Sequence, residues 1–187
     1  MPMLTGMNAF DKAFEHTVGI EGGYSNNPAD LGGPTKYGIT ERVARAAGYQ
    51  GDMKDMPIDI AKAIYRRRYW DINRLDAVAT VSESVALEMF DTGVNCGTST
   101  AGLFLQRSLN VLNRQGKDFA DLLPDGSVGP MTVEALSAFV AVRGIAGHRV
   151  LLTMLNCLQG AKYIEIAERN PSQETFVYGW VSNRVSI

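Results

Sequence analysis

The sequence predicts a mainly α-helical protein with one small β-hairpin after its first helix. Apolar side chains recur at helical spacing through most of the 187 residues, the second half included. The segment 22–40 is instead dense in glycine and proline, which excludes a helix there and favours turns and short strands. Residues that favour helix ends separate the helical segments from one another.

Each predicted element has its own start or stop signal. In the first helix, over residues 8–20, Asn8 is the N-cap, and a short strand over Lys36–Thr40 belongs to the hairpin. The second half begins near residues 91–98, the best candidate boundary, which divides the chain into 1–92 and 93–187 packed into one globule. Further helices are predicted from Thr40 to about Ala47, from Pro57 to about Tyr69, from Ser82 through Phe90, and over 99–113, 132–142, 145–169 and 172–184.

The composition excludes several classes of protein. Hydrophobic residues make up 45% and charged residues 20%, which is typical of a folded domain rather than a disordered chain. The net charge of -2 argues against nucleic acid as a partner. No uninterrupted apolar run approaches the roughly 18 residues of a membrane span, so no stable membrane insertion is predicted, and the N-terminus lacks the pattern of an ordinary signal peptide. Cys96 and Cys157 lie outside any metal-binding spacing, and no metal or cofactor is predicted.

Glu21 is the first candidate catalytic residue. It closes the first predicted helix, where the helix dipole disfavours a carboxylate, and Ile20 and two glycines flank it. Both features favour the protonated form, which a general acid requires. Asp30 follows in the glycine-rich segment, and two such carboxylates suggest acid/base work on a glycosidic bond. The alternatives are a solvated glutamate that ends a helix and an ordinary turn aspartate.

The whole motif is more specific than the two carboxylates. The string EGGYSNNPADLGGPTKYGIT, residues 21–40, resembles the opening motif of glycoside hydrolase family 108, the phage- and prophage-type N-acetylmuramidases. The string YRRRYWD, residues 65–71, resembles the catalytic region of that family. The resemblance implies a lysozyme-like fold, cleavage of the β-1,4 bond between N-acetylmuramic acid and N-acetylglucosamine in peptidoglycan, no cofactor, and Glu21 as the catalytic glutamate.

Phage-type lysozymes more broadly combine a glutamate, an aspartate and a threonine, and the interval from Glu21 to Asp30 matches their spacing. The resemblance therefore implies that a threonine holds the attacking water beside Asp30. Thr35 is nearest to the expected position, and Thr40 is the competing candidate.

The second half carries a resemblance of its own. The strings LQRSLN, residues 105–110, and DGSVGPMT, residues 125–132, resemble the helical peptidoglycan-binding segment that accompanies this family. The alternative is a helix-turn-helix hairpin without ligand contacts.

Three further residues are candidates for substrate binding. Tyr24 and Tyr37 bracket the glycine-rich segment, where each ring either stacks on a sugar or packs the hairpin against the helices. Asn95 near the predicted boundary either faces the cleft or caps a helix.

The resemblance implies a monomeric endolysin-type lysozyme that acts on peptidoglycan glycan strands. Such a protein is made in the cytoplasm of the host bacterium and reaches the wall in the periplasm through a holin-type pore. The competing hypotheses are a non-catalytic peptidoglycan-binding or scaffold protein and a lytic transglycosylase. A peptidase or amidase is a weaker rival, since the spacing supports neither a zinc site nor a Cys-His pair.

Overall fold

The computed structural model describes residues 6–19, 23–26 and 33–185. Within them the protein is mainly α-helical, and a two-stranded antiparallel sheet follows the first helix. The predicted fold class is confirmed.

The elements follow one another in a simple order. A 3₁₀ turn lies at Met53–Asp55 and another at Pro171–Gln173, and a π-helical turn at Arg66–Trp70 continues the third helix. The helices and strands are α1 Ala9–Thr17, β1 Thr35–Lys36, β2 Ile39–Thr40, α2 Glu41–Ala46, α3 Ile58–Tyr65, α4 Leu75–Val81, α5 Glu83–Cys96, α6 Thr98–Leu112, α7 Pro130–Arg169 and α8 Glu174–Arg184.

Three helices begin with the N-cap residues at which the sequence predicts a helix start. The side chain of Asn8 accepts a hydrogen bond from the backbone N–H of Asp11 at 2.9 Å, as predicted for an N-cap. Thr40 caps α2 and Ser82 caps α5 in the same way. These side chains satisfy backbone donors that the first turn of a helix leaves unpaired.

Four elements differ from the prediction. The first helix ends at Thr17 rather than at residue 20, and the chain leaves the helical conformation at Gly19, which has positive φ. The expected strand over Lys36–Thr40 is two short strands, because the chain reverses at Tyr37 and Gly38, which both have positive φ. The expected connection at 91–98 is helical as far as Cys96, and the chain turns only at Gly97. The sequence did not indicate α4, because its N-cap is Arg74 in the left-handed conformation, without a side-chain cap.

The core surrounds α5, which packs against α1, α4, α6 and α7. Phe10 of α1, Phe90 of α5 and the buried Trp70 form an aromatic cluster in which the ring of Trp70 lies 5.5 Å from that of Phe10 and 5.8 Å from that of Phe90. The indole N–H of Trp70 donates to Asp76 at 2.9 Å, so its polar atom is satisfied. The cluster fixes α1 against the centre of the protein.

The long helix α7 is bent at Gly144, whose φ of 57° and ψ of -155° are not helical. The bend matches the sequence, which predicts separate helices on either side of it. Among the described residues, α7 alone is long and apolar enough to span a membrane by length and composition, and 17% of its apolar window is buried. A count of uninterrupted apolar residues does not find it, because Arg143 and Arg149 divide the segment.

The turn that precedes α7 is held by side chains of α6. The buried amide of Gln106 donates to Asp125 and to the carbonyl of Ser127, and it accepts from the N–H of Gly126 at 2.8 Å. The amide of Asn110 bonds both backbone groups of Leu122 at 2.8 Å. The two motifs that resemble a peptidoglycan-binding segment therefore contact each other and shape this turn.

We predict that Gly102→Ala destabilises the protein by about 1–3 kcal/mol. A Cβ atom at Gly102 in α6 would lie 2.2 Å from the carbonyl oxygen of Gly126, so the turn would have to move. The matched control is Gly179→Ala in α8, where a Cβ atom meets nothing within 4 Å. We expect the control to be neutral or to stabilise by up to about 1 kcal/mol, because alanine favours helices. Urea denaturation measures both, and equal effects of the two substitutions would contradict this packing argument.

Candidate active site

The structure describes five of the seven predicted site residues. Glu21 and Asp30 lie outside the described residues. Thr35 and Thr40 lie on the two strands of the hairpin, Tyr37 lies in its turn, and Tyr24 precedes the isolated bridge at Ser25. Asn95 lies on α5 instead, near its C-terminal end.

The hairpin brings three hydroxyl residues into one row. Ser25 and Thr35 exchange two backbone hydrogen bonds of 2.8 Å, and Thr35 is the cross-strand partner of Thr40. Because partners in antiparallel strands project their side chains to the same face, Ser25, Thr35 and Thr40 share one face of this small sheet. In sequence, Glu21 precedes this row and Asp30 falls between its first two members.

The two threonines differ in what their hydroxyl groups do. The Thr40 hydroxyl accepts the backbone N–H of Val43 and caps α2. The Thr35 hydroxyl donates to the carbonyl of Gly33 at 3.2 Å, which leaves its oxygen lone pairs for another donor. Both side chains are half-buried. Only Thr40 is therefore committed to holding a helix terminus.

Tyr24 and Tyr37 differ in how far their side chains are exposed. The side chain of Tyr24 is exposed, with 44% of its surface accessible. Tyr37 is half-buried and packs against the hydrophobic core, and Lys36 lies over its ring at 5.3 Å. Of the two, Tyr24 has the face that an additional planar or apolar group can cover.

The motif YRRRYWD holds the hairpin in place. The hydroxyl of Tyr65 donates to the carbonyl of Tyr37 at 2.9 Å, and burial raises the pKa of Tyr65 to about 12, so it remains a donor at neutral pH. A Cβ atom at Gly38 would approach that hydroxyl to 2.8 Å, and Gly38 also has a φ of +72°. Glycine at this position therefore permits both the turn and the contact with α3.

Asn95 neither caps a helix nor lies on the hairpin. Its side-chain amide donates to the carbonyl of Asp91 in the preceding turn of α5 at 2.8 Å. The backbone around it is helical because α5 continues to Cys96, through most of the predicted boundary at 91–98.

A buried carboxylate lies beside Asn95. Asp91 is 4% exposed, accepts a hydrogen bond from Gln159 of α7 at 2.7 Å and forms an ion pair with Arg184 at the end of α8. The guanidinium of Arg184 also donates to the carbonyl of Thr17, the last residue of α1, at 3.4 Å. This network joins the end of α1 to three other helices.

A cavity of about 490 Å³ opens next to this network, and we call it the junction cavity. Its wall contains Glu88, whose pKa is raised to about 7, chiefly by burial and also by the charge of Asp91, against hydrogen bonds with Asn156 and Thr92. The cavity is lined by His16, Ser84, Leu87, Glu88, Asp91, Arg149, Leu152, Thr153, Asn156 and Arg184.

No pattern in the sequence indicates the junction cavity as a site. Its lining residues come from α1, from α5 and from the C-terminal helices α7 and α8, and no spacing pattern links these three parts of the chain. Within the described residues, no group of three or more histidine, cysteine, aspartate or glutamate side chains is placed to hold a metal ion.

We predict that Glu88→Gln removes a pH dependence of stability. The folded state holds the Glu88 proton more tightly than the unfolded state, so this contribution is complete below the ordinary pKa of 4.5 and is lost as the pH rises to about 7. Relative to the variant, the free energy of unfolding of the wild type should fall by on the order of 2 kcal/mol across that window. Urea denaturation at several pH values measures it, with the exposed Glu168→Gln as control. Parallel curves for wild type and Glu88→Gln would contradict the assignment.

Comparison with known proteins identifies both halves of the chain. Residues 14–97 match the family model of glycosyl hydrolase 108, and residues 100–185 match the model of a predicted peptidoglycan domain. The chain is 26% identical to SagA of Brucella abortus in a solved structure, with a TM-score of 0.63 over 92% of this chain and 87% of SagA. Among curated proteins, none matches. Residues 14–97 are therefore a glycosyl hydrolase 108 region, and residues 100–185 are a predicted peptidoglycan domain.

Proposed function

We propose that the protein is an N-acetylmuramidase that hydrolyses the β-1,4 bond between N-acetylmuramic acid and N-acetylglucosamine in peptidoglycan. The observation that carries the proposal is the glycosyl hydrolase 108 match over 14–97, which includes Glu21, Asp30 and both threonines. The peptidoglycan domain in the same chain supports the same polymer as substrate.

In this mechanism Glu21 is the general acid that protonates the glycosidic oxygen as the bond breaks. The support for this role is the motif over 21–40, which contains Glu21 and lies within the residues that match glycosyl hydrolase 108. The helix dipole does not add to it, because α1 ends at Thr17, four residues before Glu21. Asp30 is the second carboxylate, which polarises the attacking water or stabilises the positive charge that develops at the sugar.

We assign the water-positioning role to Thr35 rather than Thr40. The hydroxyl of Thr40 caps α2, whereas the oxygen of Thr35, in the middle of the row of hydroxyl residues, accepts no hydrogen bond from any residue that the structure describes. Tyr24 is the proposed sugar-stacking residue, since its ring is exposed. The role of Tyr37 is to pack the hairpin against the core.

The biological role that we propose is lysis of the bacterial wall by an endolysin. The enzyme would be made in the cytoplasm of the host and released to the wall through a holin-type pore. This part of the proposal rests on the resemblance of residues 21–40 to phage and prophage muramidases.

We predict that Glu21→Gln lowers wall hydrolysis by about 10²–10⁴-fold, the contribution of a general acid. Turbidity loss of purified walls measures the rate, and mass analysis of the digest identifies the new chain ends. Reducing-end muramic acid from the wild type supports a hydrolase, whereas anhydro-muramic ends would identify a lytic transglycosylase. A wild type that sediments with walls but releases no fragments would be a binding protein. Undiminished hydrolysis by Glu21→Gln would remove Glu21 from its assigned role.

Substitution of the two threonines separates their roles. We expect Thr35→Val to lower kcat by about 100-fold through misplacement of the water, and Thr35→Ser to restore most of it. Thr40→Val should chiefly cost about 1 kcal/mol of stability through loss of the α2 cap. Steady-state kinetics on purified walls and thermal unfolding are measured in parallel. The assignment is wrong if Thr40→Val loses kcat while Thr35→Val does not.

A further inference from the structure

The junction cavity lies between the two family regions. His16, Leu87 and Glu88 in its wall belong to the glycosyl hydrolase region, and Arg149 and Thr153 belong to the peptidoglycan domain. His16 is in the last turn of α1, five residues before Glu21 in sequence. A group bound in the cavity would therefore contact both regions close to the helix that leads to the proposed general acid.

The charges in the wall do not cancel. Asp91 and Arg184 neutralise each other as an ion pair. Burial holds the pKa of Glu88 near 7, so a large fraction of this carboxyl is uncharged at neutral pH. Arg149 is exposed, and its guanidinium forms no hydrogen bond or ion pair with any residue that the structure describes. The unpaired charge at the cavity is therefore positive, which favours an anionic ligand.

The remaining wall suits a short peptide. Leu87 and Leu152 offer apolar surface. The hydroxyl of Thr153 donates to the carbonyl of Arg149, and that of Ser84 bonds to His148, so their oxygens remain as acceptors for a peptide N–H. A guanidinium binds a carboxylate through two parallel hydrogen bonds. A volume of about 490 Å³ lies within the ordinary range of ligand pockets.

We propose that the junction cavity binds the stem peptide of peptidoglycan, with Arg149 pairing one of its carboxylates. The proposal rests on the proposed function, since it names the part of that substrate which the cavity takes. The sugars of the glycan strand are uncharged where the stem is attached, because the lactyl carboxyl group is then part of an amide bond. The carboxylates of the stem are therefore the anionic groups that the substrate brings to this surface.

Binding of a soluble stem peptide tests the proposal without reference to activity. The probe is the tetrapeptide alanyl-glutamyl-diaminopimelyl-alanine, titrated by calorimetry into the full chain. We expect Arg149→Gln to weaken binding by about tenfold or more, the effect of losing a charge-assisted hydrogen bond. Arg143→Gln is the matched control, because Arg143 is an exposed arginine on the same helix and lies outside the cavity wall. The same peptide with its carboxylates amidated should bind the wild type and Arg149→Gln equally weakly.

Hydrolysis gives a second and separate readout. On intact wall, Arg149→Gln should raise KM and leave kcat unchanged. On glycan strands stripped of their stems by an amidase and then amidated at the freed lactyl carboxyl groups, wild type and variant should be equal. Equal tetrapeptide affinity for wild type and Arg149→Gln, or an equal loss on stripped glycan, would overturn the proposal.

The two proposals fail in different ways. If the wild type releases no muramic acid ends, the muramidase assignment fails, whatever the titration shows. If the wild type releases these ends but the tetrapeptide does not bind, the assignment stands and the inference about the cavity is wrong.

Discussion

The carboxylate of Asp91 imposes the strongest constraint on this structure. A charged group that is 4% exposed is very unfavourable unless other groups compensate it, and here α7 and α8 supply a hydrogen bond and an ion pair. Arg184 reaches from the same pair to the carbonyl at the end of α1. Helices α1 and α5 are thereby brought together with α7 and α8 at one point. The C-terminal helix α8 is tied to this point through Arg184, although none of its residues is buried.

The proposed catalytic segment lies in sequence between two elements that contacts hold in place, α1 and the hairpin. The aromatic cluster around Trp70 and the contact with Arg184 hold α1, and the hydroxyl of Tyr65 holds the turn of the hairpin. The YRRRYWD motif contributes to both, since it contains Trp70 and Tyr65. Its role in the described structure is therefore to position the elements on either side of Glu21 and Asp30, which accords with the need of catalysis for fixed geometry.

In the peptidoglycan domain, motif residues also hold a turn in place through hydrogen bonds. Gln106 and Asn110, which the LQRSLN motif contains, use their amides to shape the turn before α7. These contacts explain why polar residues occupy an otherwise apolar helix, because the buried backbone of the turn needs hydrogen-bond partners. The junction cavity lies at the boundary of the two family regions, and the guanidinium of Arg149 in its wall pairs with no residue that the structure describes. Substrate recognition at this junction would couple the two halves of the chain.

The sequence by itself determined the features that depend on neighbours along the chain. Helix starts could be predicted at Asn8, Thr40 and Ser82, because a cap bonds a residue only three positions away. The motif over 21–40 indicates the candidate carboxylates. The structure alone decided where α4 begins. It also decided that Asp91 meets Arg184 and that Glu88 and Arg149 share a cavity. Such partners are separated by many tens of residues, and only the packing of helices brings them within reach of one another.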